Sequence, residues 1–176
     1  IGRYDFSHYD TVADIGGGAG YLLEAILLKH RQLHGVLFDR QSPIKKAKFS
    51  MGRRLMKKER IRFVIGDMFT EIPVDADLYI ISRVLNDWSD NEVNQILQNV
   101  RMAMGTKSKL LIIESIKKDG YAFVEDAFRD VAMLVYTSGG RMRSKGEFEH
   151  LLADVGLRIN KITATKRSLS LIECVI

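Results

Sequence analysis

The sequence predicts an α/β domain: a mostly parallel sheet of seven strands, helices on both faces, and a reversed last strand. Short β-rich runs alternate with longer helical patterns, the arrangement that buries a parallel sheet between two helical layers. Residues 160–168 are too few to hold a crossover helix, so the final two runs must pair antiparallel. The third observation is compositional. The 176 residues are 46% hydrophobic and 28% charged with only two prolines, which suits one core and excludes disorder.

Strands are expected at 11–15, 35–38, 61–65, 78–82, 110–114, 157–163 and 168–175. Among the first five lie crossover segments at 21–33, 43–58 and 91–104, and a shorter link at 69–76. Ser42 before Pro43 offers a capping hydroxyl followed by proline at the first helical position. Asp90 before Asn91 and Ser144 before Lys145 read as similar caps. Two further helices are expected at 125–136 and 145–154, the latter ended by Gly156. Lys166-Arg167 supplies the polar turn into the last strand.

A single cysteine, Cys174, excludes an internal disulfide framework and fits a reducing compartment. No apolar run approaches the roughly 18 residues of a membrane span, and no secretory leader opens the chain. A soluble, cytoplasmic protein is expected. The chain opens on Ile1 rather than methionine, which reads as a piece of something longer. The formal net charge of +5 is uneven: the segment 45–62 holds nine basic residues against Glu59, so the remainder is net acidic. Such a block can meet nucleic acid. Ile44, Ala47, Met51 and Leu55 fall at helical spacing, however, so the simpler reading is a helix with a solvated basic face.

The strongest local signal is Asp14-Ile15-Gly16-Gly17-Gly18-Ala19-Gly20, between the first strand and the first helix. Glycines allow tight turning and close approach of a ligand to bare peptide groups. Asp39 ends the second strand, where a carboxylate can accept from both ribose hydroxyls. Tyr21 or Leu23 stands where a dinucleotide fingerprint needs its third glycine, which disfavours pyrophosphate. Asp67 follows the third strand, positioned to accept from an exocyclic amino group, with Met68 and Phe69 as an apolar wall for a base. Asp14, Asp39 and Asp67 sit at successive strand ends without a basic anchor among them, which suits a cation. S-adenosylmethionine, with its sulfonium and amino group, fits that description.

Those motifs, with Tyr4-Asp5-Phe6-Ser7, Arg83-Val84-Leu85, Asp87-Trp88-Ser89-Asp90, the run 111–114 and the segment 139–144, together resemble the S-adenosylmethionine-dependent O-methyltransferases. These are the plant caffeate-type and the bacterial antibiotic-, pigment- and phenazine-type enzymes. The resemblance implies a Rossmann-like class I methyltransferase domain over residues 1–176. It also implies a family N-terminal helical domain, which makes the homodimer and covers the substrate, absent from this chain. By position, Asp14, Gly16, Gly18 and Gly20 would line the methionine portion of the cofactor. Asp39 would hold the ribose, and Asp67 and Met68 the adenine. Ser82 stands where many relatives carry lysine near the cofactor tail. Trp88 would flank the adenosine, with core burial as the competing reading.

The family's general base is a histidine before the Asp-Trp pair, and here that residue is Asn86, followed by Asp87. One family glutamate matches Glu114; the other is replaced by Met142 in Gly139-Gly140-Arg141-Met142-Arg143-Ser144. Asn86 can donate and accept hydrogen bonds but cannot take a proton near neutral pH, so Asn86 and Glu114 would orient a small aromatic or polyketide-like acceptor. The alternatives are a cofactor-binding domain that has lost methyl transfer, and a nucleic-acid methyltransferase using the basic 45–62 face. No metal is expected: His30 and His34 are four apart, but no third ligand is evident. Cys174 reads as packing; Met102, Met104, Met133 and Met142 read as core filler, with an apolar acceptor pocket as the competing reading.

Overall fold

Residues 2–51, 60–117, 137, 139–165 and 168–176 are described by the structure, a computed structural model. The helix expected at 125–136, the second half of that expected at 43–58, Met133 and the turn at 166–167 lie outside the described residues. Strands β1 (Thr11–Ile15), β3 (Ile61–Ile65) and β4 (Leu78–Ser82) fall where the hydrophobic runs place them. β2 (His34–Asp39) gains a residue at each end, and β5 (Lys109–Lys117) runs on past Glu114. β6 (Arg143–Ser144), β7 (Arg158–Ala164) and β8 (Leu169–Val175) are the other strands among the described residues.

The sheet order is β3-β2-β1-β4-β5-β8-β7, with β6 beside the end of β5. The first five strands pair in parallel, and β8 runs antiparallel to both neighbours. Seven strands on one path with the last reversed is the predicted plan. The eighth, β6, spans two residues and carries no periodicity that a sequence could show.

Among the described residues, four α-helices cover the two faces. α1 (Tyr21–Lys29) and α2 (Gln41–Ser50) pack on Val12, Leu37, Leu78, Ile80 and Leu111. α3 (Asp90–Ala103) and α4 (Lys145–Asp154) pack on Ala13, Ile15, Phe38, Tyr79 and Ile112. In α3 the stripe Val93, Ile96, Leu97 and Val100 is fully buried, and each such side chain contributes about 1.5–3 kcal/mol.

Three helix boundaries differ from the sequence reading. α1 stops four residues early, because His30 is extended and the Arg60 guanidinium takes the carbonyls of Leu27, His30 and Leu33 at 2.8–2.9 Å. α2 starts at Gln41 with Arg40 as its N-cap, so Ser42 does not cap it. Pro43 is then the third helical residue, whose missing N–H would have had no intrahelical acceptor. α3 is capped by Ser89, one residue before Asp90, because Glu92 reaches back to the Ser89 amide at 2.9 Å and closes a capping box. Ser144 caps α4 as expected, in a second such box with Glu147.

Candidate functional site

The carboxyl ends of β1, β2, β3, β4 and β5 converge on one edge of the sheet, where an open α/β fold receives ligands. Gly16, Gly18 and Gly20 all have positive φ, between 60° and 78°, which strains any side chain bearing a Cβ. The loop lies directly on Asp14: a Cβ on Gly17 would sit 2.5 Å from the Asp14 carboxyl. Above Gly18, by contrast, nothing lies within 4 Å.

Asp14 is 1% exposed, and neither carboxylate oxygen has a hydrogen-bond partner. Burial, and secondarily the charge of Asp39, push its carboxyl up to about 7. A buried carboxylate without a donor is costly, so this position fits a ligand that brings a cation or N–H groups to it. Asp39 is prearranged differently: Oδ2 accepts from the Gly18 amide at 2.8 Å and Oδ1 from the Arg40 amide at 2.6 Å. Each oxygen keeps a lone pair for a hydroxyl.

Gly16, Phe38, Asp39, Arg40, Gly66, Asp67 and Met68 line a small cleft beside the loop. Gly66 lies flat on Phe38, since an added Cβ would come 2.6 Å from the ring. Asp67 Oδ1 accepts from the Phe69 amide at 3.0 Å, and Oδ2 pairs with Arg40 at 3.2 Å. Arg40 corrects the expectation that no basic group stands among the acids. The Arg40–Asp67 pair is solvent-exposed and so worth little; it can open for an amino group. From α3, Asn99 and Gln95 donate to the Met68 and Phe69 carbonyls at 2.8 and 2.6 Å, fixing the floor of the cleft. Sequence reasoning missed both, since each reads as an ordinary polar helix residue.

After β4 comes the turn that carries the remaining candidates. Ser82 ends the strand half-buried, and Arg83 follows at φ 56°, the described non-glycine residue in the left-handed region. Val84 reaches back to the loop, since a Cβ on Gly16 would meet it at 3.1 Å. Leu85–Asp87 form one turn of 3₁₀ helix. Asn86 is 5% exposed and donates Nδ2 to Glu114 Oε2 and to the Ser115 carbonyl, both at 3.1 Å. With both amide protons committed, Oδ1 is left buried without a partner. Burial pushes Glu114 up to about 7, against amide donors from the turn that favour its ionised form. The Asp87 carboxyl is also raised by burial, opposed by Arg83. Trp88 is half-buried, edge-on to Phe69 at 4.8 Å between ring centres, so it joins the turn to the cleft wall while packing on the core.

Gly139 and Gly140 explain themselves against this turn. A Cβ on Gly140 would lie 2.6 Å from the Asn86 carbonyl oxygen, and Gly139 (φ 109°) abuts Ser89. Met142 is buried, and the Arg143 guanidinium next to it donates to the Leu85 and Trp88 carbonyls at 2.6 and 2.7 Å.

Other residues singled out by sequence fall elsewhere. His30 ends α1 and His34 opens β2, so they do not share a helix face. Cys174 and Met104 are buried, while Met102 is 75% exposed and belongs to no core. On α2, Lys45, Lys46 and Lys48 point outward over buried Ile44 and Ala47. Arg60 is withdrawn from that basic face into the cap of α1. Arg53, Arg54, Lys57 and Lys58 lie outside the described residues. Among the described residues no helix is long and apolar enough to cross a membrane, and no three His, Cys, Asp or Glu cluster as metal ligands.

Strand order, reversed final strand and a glycine loop at the ligand edge define a Rossmann-like class I methyltransferase fold. Within that class the chain belongs to the O-methyltransferase domain family, which matches residues 1–158. It is 38% identical over 176 residues to a phenazine O-methyltransferase of Lysobacter antibioticus, covering 98% of this chain and 50% of the relative. It is 39% identical over 163 residues to the O-demethylpuromycin-O-methyltransferase of Streptomyces alboniger, covering 91% and 43%. A solved O-methyltransferase of neocarzinostatin biosynthesis, in complex with S-adenosylmethionine and 2-hydroxy-5-methyl naphthoic acid, superimposes with a TM-score of 0.84. That structure is 32% identical, and the match covers 98% of this chain and 50% of that one. The chain thus spans about half the length of the curated relatives it matches.

Proposed function

We propose that this chain is the catalytic domain of an S-adenosylmethionine-dependent O-methyltransferase acting on a small aromatic hydroxyl compound. The observation that carries the reading is Asp14: a buried carboxylate, both oxygens unpartnered, beneath a glycine loop that is open at Gly18. Asp14 would hold the cationic methionine end, Asp39 the ribose, and Asp67 with Met68 and Phe69 the base. Ser82 and Trp88 flank the same edge. When bound, S-adenosylmethionine supplies a methyl group on a sulfonium, already an activated leaving group.

The protein's own contribution is then orientation. Asn86 Oδ1 accepts a hydrogen bond from the acceptor hydroxyl, and Glu114 fixes the amide that presents it. Lacking a proton-taking side chain at this position forgoes about 10²–10⁴-fold in rate. Alignment of nucleophile and methyl can supply effective molarities of about 10⁵–10⁸ M. The site therefore suits acceptors whose O–H is acidic enough to release its proton to solvent, such as phenols and naphthols carrying uncharged electron-withdrawing groups.

Calorimetric titration of S-adenosylmethionine into the protein, with Asp39→Ala as control, tests the cofactor half. Saturable one-to-one binding weakened by the substitution is expected; equal binding by both proteins would sink the assignment. A second reading, a cofactor-binding domain without methyl transfer, is favoured by the joint presence of Asn86 and Met142. Tight binding of S-adenosylmethionine with no methyl transfer to any of a series of phenols and naphthols would establish it.

A further inference from the structure

We propose that Arg143 is the positioning residue of the Asn86 turn: its buried guanidinium sets where the Asn86 amide points. The proposal rests on the orienting role of Asn86 given above, and deepens it. Arg143 is 0% exposed. Taking a guanidinium out of water costs several kcal/mol unless its donors are satisfied, so what it binds explains why it is there. Nη1 donates to the Leu85 carbonyl at 2.6 Å, Nη2 to the Trp88 carbonyl at 2.7 Å, and Nε to Asp90 Oδ1 at 2.9 Å. The two carbonyls bracket Asn86. The Leu85 carbonyl opens the 3₁₀ turn and, among the described residues, otherwise accepts only a long bond from the Trp88 amide, at 3.4 Å, and the Trp88 carbonyl lies just past the end of the turn.

The turn is thereby gripped from two sides. On one, β5 presents Glu114 and the Ser115 carbonyl to the Asn86 side chain. On the other, β6 presents Arg143, and the two strands are held in register by the pairing of Ile116 with Arg143. Gly139 and Gly140 let the chain entering β6 come close enough for this reach. Asp90 Oδ2 takes Arg141 as well, at 2.7 Å, so the carboxylate that steadies Arg143 is itself anchored. A planar fork can serve three acceptors in fixed directions, and an ammonium cannot. Without the fork, the turn would be held from the β5 side alone, by its amides and the Asn86 side chain on Glu114 and Ser115, and Oδ1 would lose its fixed aim.

The test uses Arg143→Lys, which keeps charge and bulk, and Asp90→Asn, which loosens the guanidinium from its exposed side without emptying a buried site. Trp88 is the chain's single tryptophan and sits in the turn, so its emission needs no acceptor to report. In Arg143→Lys, iodide quenching of Trp88 should rise roughly twofold, and the Asn86 side-chain amide protons should exchange about tenfold faster. Circular dichroism should match wild type. Asp90→Asn should move both signals the same way by less, and decides the matter should the lysine variant fail to fold. Wild-type quenching and exchange in a folded variant would overturn the proposal. Methyl transfer from S-adenosylmethionine to 1,4-dihydroxy-2-naphthoic acid supplies the second arm. If Arg143 acts through Asn86, adding Arg143→Lys to Asn86→Ala should cost no further rate, whereas fully additive losses contradict it. An Asn86→Ala protein with the wild-type rate would instead refute the orienting role of Asn86, with the Trp88 signal still deciding what Arg143 does to the turn.

Discussion

Asp14 carries two opposed pH dependences. In the unfolded chain it is an ordinary carboxyl; in the fold, burial and Asp39 push it up to about 7. Between those values the native state binds the proton more tightly, so this group's contribution to stability falls as pH rises from about 4 to about 7. Glu114, also raised to about 7, acts in the same direction. Asp14→Asn should therefore raise Tm at pH 8 and reduce, without removing, the decline in stability across that window. Binding of a cationic cofactor favours the ionised carboxylate, so affinity should be roughly tenfold weaker at pH 5.5 than at pH 8. Titrations of wild type and Asp14→Asn at both pH values check this, and an unchanged profile in the variant would exclude Asp14 as the group responsible. Asn86→His should speed transfer to weakly acidic phenols about tenfold or more; a slower variant would speak against the orienting assignment. Asp14 was legible in the sequence because the glycines beside it have a physical signature. Arg143 was not: its partners at Leu85 and Trp88 are main-chain carbonyls, which every residue possesses and no sequence distinguishes.

Among the elements, the strands were the most readable, since continuous apolar runs are what a sheet buried on both faces requires. Helix ends were less so, because capping depends on which polar group reaches an amide. Ser42 has the right chemistry two residues too late, while Ser89 succeeds because Glu92 closes the box with it. Ser89→Ala and Ser144→Ala should each cost about 1 kcal/mol in denaturant unfolding. A neutral result at Ser89 would mean that Glu92 alone suffices. Gly140→Ala should be worse, about 1–3 kcal/mol, since its methyl must displace the Asn86 carbonyl. Its methyl-transfer rate should fall more than its stability does.

For the molecule as a whole, Cys174 is a built-in probe. It lies in β8 with no exposure, and burial pushes its thiol up to about 12. A thiol reagent at pH 8 should therefore label the native protein only at the rate of global opening; rapid labelling of folded protein would show that β8 detaches on its own. The sequence revealed that the last two strands are antiparallel but not their positions, because strand order depends on which edges meet in space. The structure puts β8 inside the sheet, between β5 and β7. That placement governs how the chain can be made. Synthesis runs from the amino end, so β1 to β5 can assemble as they emerge, but β7 has no neighbour until residues 169–175 arrive to bridge it to β5. Until then the edge of β5 from Leu110 to Ser115, which β8 will cover, stays open to any passing strand. Ribosome-bound intermediates of this fold should accordingly depend on holdase chaperones until residues 169–175 have emerged, and lose that dependence abruptly once β8 pairs with β5.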